Sequence, residues 1–137
     1  MDDVLFLDAN VLVSAAWKDN TRMQQFWSLE DVELVTSEYA IAETERSLPN
    51  QEQLDRFHYS AARLRIIEDG TYEHVPLPAW VSIREKDIPI IQAAIATQAT
   101  HLTTGDRHDF GDYFGQTIEG VEIIQPADYL RRHSQGD

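Results

Sequence analysis

Cysteine is absent from the 137-residue chain, which excludes a disulfide framework, a thiolate metal site and a cysteine nucleophile together, and suits a reducing, cytoplasmic location. Positive charge is scarce: eleven basic residues stand against twenty-four acidic ones, a formal net charge of −13, and the only lysines are Lys18 and Lys86. Such a chain cannot hold nucleic acid through a general basic surface, because phosphate binding depends on cationic side chains displacing counterions. If it handles nucleic acid, a bound cation or a local arginine cluster must supply the charge. No apolar run approaches the roughly 18–20 residues of a membrane-spanning helix, so no membrane partner is expected. The opening MDDVLFLDAN has no basic segment ahead of its apolar residues and reads as a first strand, not a secretory leader.

What is present is enough for a real interior. Hydrophobic residues make up 42% of the chain, with five Phe, five Tyr and three Trp, and the length suits one compact domain over residues 1–137 with the last four or five residues frayed. Val4 to Leu7 is a short apolar run that stops at Asp8 and reads as a buried strand. Val11, Leu12 and Ala15 follow at helical spacing. Arg22 to Leu29 reads as a helix, Val32 to Val35 as a strand, Glu38 to Leu48 as a helix capped by Thr36-Ser37, and Gln51 to Ile67 as one long helix ended by Asp69-Gly70. Glu73 to Ala79 suits a short strand or an irregular linker equally, since its prolines disfavour helix before them. Asp87 to Ala99 is a helix, His101 to Thr104 and Val121 to Ile124 are strands, and Pro126 opens a last helix through Arg131. Strands alternating with helices predict a three-layer α/β/α sandwich around a mainly parallel sheet. In such sheets, sites form just beyond the carboxyl ends of the strands.

Four acids fall where that rim would be. Asp8 ends the first strand, Asp106 follows the strand His101–Thr104, Asp87 starts the helix feeding it, and Glu43 lies in the helix after the second strand. Singly, each has an ordinary explanation: Asp8 and Asp87 as helix caps, Glu43 as a solvated helix residue, Asp106 as a turn former after Gly105. Brought together, however, four carboxylates would repel one another and take up protons. A hard divalent cation relieves that conflict, and oxygen ligands without cysteine favour Mg²⁺ or Mn²⁺.

The segments VLFLDANVLVSA, VTSEYAIAETERSL, KDIPIIQAAIATQATHLTTGDRHDF and VEIIQPADYL, taken in order, resemble a PIN-domain protein, with the closest flavour being the small prokaryotic ribonucleases of toxin–antitoxin type. The likeness runs nearly end to end and is weakest over residues 50 to 80. It implies a PIN-like fold, metal-dependent cleavage of RNA phosphodiester bonds, Asp8, Glu43, Asp87 and Asp106 as the four catalytic, metal-binding acids, and an antitoxin protein as partner. Homodimers are common in that family. Within the same comparison, Thr104 matches the hydroxyl position of the TGD segment.

Three secondary residues join these: Thr104 beside the carboxylates, Asn10 as a hydrogen-bond partner fixing Asp8, and Asp109 as an outer carboxylate. His108 reads as a loop residue. For RNA, Arg56 and Arg63 are seven apart and share a face of the helix predicted over residues 51–67, with Tyr59 between them as a base-stacking surface, and Arg107 is a further phosphate contact. Arg46 and Arg65 lie close by in sequence. Trp27, Trp80 and Phe110, if exposed, would be partner contacts. The acidic total argues against broad RNA binding, since even two divalent ions leave the chain strongly negative. Dehalogenase-like phosphatases and receiver domains are disfavoured, because both need a lysine late in the chain and none follows Lys86. A non-catalytic PIN module binding RNA or protein is the remaining alternative.

Overall fold

The computed structural model describes residues 2–135. Its frame is a six-stranded sheet of β1 (Asp3–Leu7), β2 (Val32–Ser37), β3 (Arg65–Ile67), β4 (His101–Thr103), β5 (Thr117–Ile118) and β6 (Val121–Ile124), in the order β3-β2-β1-β4-β6-β5. All neighbours run parallel except β5 and β6. The helices are α1 (Ala9–Ala16), α2 (Glu38–Ser47), α3 (Gln51–Ala61), α4 (Ile88–Ala96), the single turn α5 (Arg107–Phe110) and α6 (Pro126–Gln135). This is the three-layer α/β/α arrangement expected from the alternation of patterns.

The period-2 alternation of β1 explains the layering. Phe6 faces one core with Ile90, Ile91 and Ala94 of α4, and Leu5 and Leu7 face the other with Val11 and Leu12 of α1, Phe57 of α3 and Tyr129 of α6. Phe110 is fully buried in the first core, so it is no partner contact, whereas Trp80 is exposed and Trp27 half-buried with its indole N–H donated to the Ser60 carbonyl. None of the helices among the described residues is long and apolar enough to cross a membrane.

Several boundaries differ from the sequence expectation. The helix expected over residues 51–67 ends at Ala61, and residues 65–67 form β3, pairing Arg65 with Val35 and Ile66 with Thr36. The β-branched pair Ile66-Ile67 gains a sheet partner there that an exposed helix could not offer. Arg22–Ser28 is a 3-10 run instead of an α-helix, while of the two readings for residues 73–79 the irregular linker is the one the structure has. Strand β5 was missed altogether. It turns into β6 through Glu119 and Gly120, at φ values of 49° and 87°, and the left-handed conformation at both central residues makes this a tight hairpin that ordinarily announces itself by Asn-Gly or Asp-Gly. Helix α6 continues past Arg131 to Gln135, and Gly136 and Asp137, within the tail expected to fray, lie outside the described residues.

Candidate metal centre

The strand order reverses between β1 and β4, which leave the centre of the sheet toward different sides. At that point the chain turns sharply after each strand. Asp8 caps α1, its Oδ1 accepting from Ala9 N at 2.7 Å. Asp106 caps α5, its Oδ1 accepting from the amides of His108 and Asp109 at 3.0 and 3.1 Å. Asp8 thus has the capping role expected of it, Asp106 caps where a turn was expected, and both still line one cleft of about 500 Å³ with Asn10, Glu43, Lys86 and Asp87.

Thr104 ties the two turns together. Its hydroxyl donates to Asp8 Oδ2 at 2.8 Å and accepts from Asn10 Nδ2 at 3.2 Å and from Asp106 N at 3.1 Å. Asn10 donates to Asp8 Oδ2 at 3.1 Å while its own carbonyl accepts from Gly105 N at 2.8 Å. Thr104 is fully buried. These bonds leave the Asp8 carboxylate little rotational freedom. Burial pushes its pKa up to about 6, opposed by the Thr104 and Ala9 hydrogen bonds and assisted by the nearby charges of Glu43 and Asp106.

Asp87 behaves differently. It precedes α4, yet its side chain makes no capping bond; Pro89 in the first turn supplies no N–H to cap. The carboxylate is buried instead against Asp109, and the two Oδ2 atoms are reached by no hydrogen-bond donor. What each has is the Lys86 ammonium, at 3.6 Å from Asp87 Oδ2 and 3.8 Å from Asp109 Oδ2. Oxygens of Asp87, Asp106 and Asp109 lie within 4.8 Å of one another. Two ionised carboxylates cannot hydrogen-bond each other, so without a cation a shared proton resolves the contact. Accordingly, burial first and then the hydrogen bond with Asp109 raise the pKa of Asp87. The same shared bond, then Arg84 beside it, holds Asp109 below the usual carboxylate range. Arg84 Nε donates to Asp109 Oδ1 at 2.9 Å.

Glu43 enters from α2, half-buried, and burial raises its pKa against the opposing charges of Lys86 and Arg46. Tyr39, one turn earlier, donates its hydroxyl to the Lys86 carbonyl at 2.6 Å and so ties α2 to the turn that carries Asp87. Tyr39, Arg84 and Lys86 had no signal in the sequence beyond their nearness to acids. Lys86, as one of two lysines, was the most visible of the three.

The expected arginines have unlike surroundings. Arg56 is committed within the protein, donating to Asp19, Glu52 and the Ala16 carbonyl. Arg63 lies beyond the end of α3, so the shared helical face expected with Arg56 does not exist; the two meet only as lining of a groove of about 350 Å³ with Trp27 and the exposed Tyr59. Arg65 pairs with Glu33 at 2.9 Å. Arg107 is exposed on α5, and His108 is a solvent-facing residue whose Nδ1 lies 3.7 Å from Asp109 Oδ1. A further groove of about 510 Å³ at the amino ends of β2 and β3, lined by Trp27, Glu33, Arg63 and Arg65 among others, brings no second carboxylate.

An all-oxygen donor set, two buried carboxylate oxygens without donors, and carboxyl groups raised by burial fit a hard divalent cation. No family model matches the chain, and no curated protein matches it. Among solved structures, one chain of VapBC2 from Rickettsia felis, crystallised bound to a DNA fragment from their promoter, matches with a TM-score of 0.63 at 18% identity, covering 89% of this chain and 98% of that one. Sheet order, layering and this likeness agree: the chain has a PIN-like α/β/α fold.

Proposed function

We propose that the protein is a divalent-metal-dependent endoribonuclease, the toxin component of a toxin–antitoxin pair. The observation that carries this reading is the single cleft that gathers Asp8, Glu43, Asp87 and Asp106, with carboxylate oxygens of Asp87, Asp106 and Asp109 within 4.8 Å of one another. Carboxylates gathered so closely repel one another and take up protons unless a cation offsets their charge. Asp8, Asp87, Asp106 and Glu43 would hold Mg²⁺ or Mn²⁺, with Asp109 beside Asp87. A bound ion of this kind supplies an activated water and offsets charge building on the phosphate.

The chain's own groups do the rest. Thr104 and Asn10 hold Asp8 in one rotamer, so its carboxylate needs no reorganisation when substrate arrives. Glu43, half-buried on α2, would orient the attacking water from its place beside the ion. Of the arginines expected to contact RNA, Arg63 and Arg107 are exposed and have no ion pair among the described residues, so they would serve its phosphates; Arg56 is committed internally. The VapBC2 neighbour is a toxin–antitoxin complex, which supports an antitoxin protein as partner here, and the cysteine-free composition suits a cytoplasmic location.

The test is calorimetric and enzymatic. Protein stripped with EDTA should bind Mn²⁺, gain about 2.7 kcal/mol of stability at a concentration 100-fold above Kd, and cleave single-stranded RNA only when metal is present. Asp106→Asn should lose both. Cleavage that persists in EDTA, or no stabilisation by Mn²⁺ or Mg²⁺, would refute the reading.

A further inference from the structure

The cleft is lined by four acidic side chains and by one basic one, Lys86. Its ammonium lies between the two carboxylate oxygens that lack donors, 3.6 Å from Asp87 Oδ2 and 3.8 Å from Asp109 Oδ2. These distances are ion pairs, not hydrogen bonds. The side chain is 55% exposed and free to swing, while the Lys86 backbone is held by the Tyr39 hydroxyl bonded to its carbonyl. A flexible cation on a fixed stem thus occupies the charge that the carboxylates of this cleft otherwise lack.

We propose that Lys86 is an internal counter-cation of the cleft: a divalent ion displaces its ammonium from Asp87 and Asp109, and the freed ammonium then contacts a phosphate of the RNA strand beside the scissile bond. This rests on the nuclease reading above. Displacement follows from electrostatics, since a dication and an ammonium cannot share two carboxylates without repulsion. At a separation of about 5 Å in a water-like dielectric that repulsion weakens metal binding about tenfold or somewhat more. The phosphate contact follows from supply. An anionic strand entering a carboxylate-lined cleft meets no other cationic side chain of the protein along its lining, and a displaced ammonium on a four-carbon stem stays within reach of it. Metal loading would thereby prepare the cleft for substrate, so that strong RNA binding awaits the ion.

The experiment compares wild type, Lys86→Met and Lys86→Arg. The methionine keeps the apolar stem, and the Tyr39 bond to the residue 86 carbonyl is unaffected. Mn²⁺ titration of EDTA-stripped protein by calorimetry should show about tenfold tighter binding in Lys86→Met than in wild type and ordinary binding in Lys86→Arg. At saturating Mn²⁺, Lys86→Met should raise KM for a single-stranded oligoribonucleotide severalfold with kcat little changed. The slope of log KM against log salt should fall by about 0.7, as for one lost phosphate contact, and Lys86→Arg should restore both. Unchanged or weaker Mn²⁺ binding in Lys86→Met overturns the displacement, and an unchanged KM and salt slope overturn the phosphate contact. Failure of wild type to bind Mn²⁺ at all overturns the nuclease reading and this inference with it, whereas altered KM without altered metal affinity overturns this inference alone.

Discussion

Replacing Asp8 by Asn should make the metal-free protein more stable, although it removes the central acid of the cleft. Asp8 is 4% exposed, and burial raises its carboxyl from 3.8 to about 6. Each pKa unit corresponds to about 1.4 kcal/mol, so holding Asp8 ionised at pH 8 costs the fold about 3 kcal/mol. Asparagine removes that cost and keeps an oxygen for the cap on Ala9 N, but its amide nitrogen, standing where Oδ2 stood, cannot accept from Thr104 Oγ1 or from Asn10 Nδ2, a loss of about 1 kcal/mol for each. The net expectation is a gain of ~1 kcal/mol at pH 8 in EDTA, from combining the values just given.

The pH dependence gives the sign. A carboxyl whose folded pKa lies above its unfolded value adds stability below about pH 3.8, and this contribution is lost as pH rises through about 6. Wild type should therefore lose ground to Asp8→Asn between about pH 4 and pH 7, and the gap should close or reverse below pH 4. Urea denaturation of both proteins across this range, with equal m-values, measures the difference and cancels what the other carboxylates contribute equally. With Mn²⁺ the order should invert, because only wild type gains binding energy. An Asp8→Asn variant no more stable than wild type at pH 8 in EDTA would refute the claim that an ionised, buried Asp8 strains the metal-free fold.

Thr104→Val keeps the shape of a buried side chain but removes the hydroxyl that serves Asp8, Asn10 and Asp106; denaturation should show a loss of about 2 kcal/mol, and the acid limb of the cleavage rate should move to higher pH as Asp8 loses a donor. Arg56→Met should lower stability by about 1 kcal/mol, since the Ala16 carbonyl loses its charged donor, with KM for RNA unchanged, whereas Arg63→Ala should raise KM and leave the melting temperature alone. Glu119→Asn places a residue tolerant of positive φ at the first position of the β5–β6 turn, where φ is 49°, and thermal melting should show a gain of about 1 kcal/mol.

The legible part of the site was the part each residue shared with an ordinary local role. Asp8 was visible because a strand ending in Asp before a helix is a capping pattern, and Asp106 as a turn former after Gly105; in the structure both cap. Asp87 looked like a second cap and is not one, and what its carboxylate faces, Asp109 and Lys86, cannot be read from its neighbours in sequence. Arg56 and Arg63 looked alike in sequence, but one is folded into an ion-pair cluster and the other falls past the end of its helix.

Sequence by itself determined the order of elements apart from β3 and β5, and the two-faced core, because apolar periodicity is written within a few residues: Leu5, Phe6 and Leu7 divide between two layers whatever else the chain does. Only the tertiary structure decided which charges meet. Asp8 and Thr104 are 96 positions apart and 2.8 Å in contact, the short strand β3 exists only because β2 offers it an edge, and the shared seat of Asp87, Asp109 and Lys86 is made by burial. Burial and long-range Coulomb forces have no period along the chain, so no local pattern encodes them.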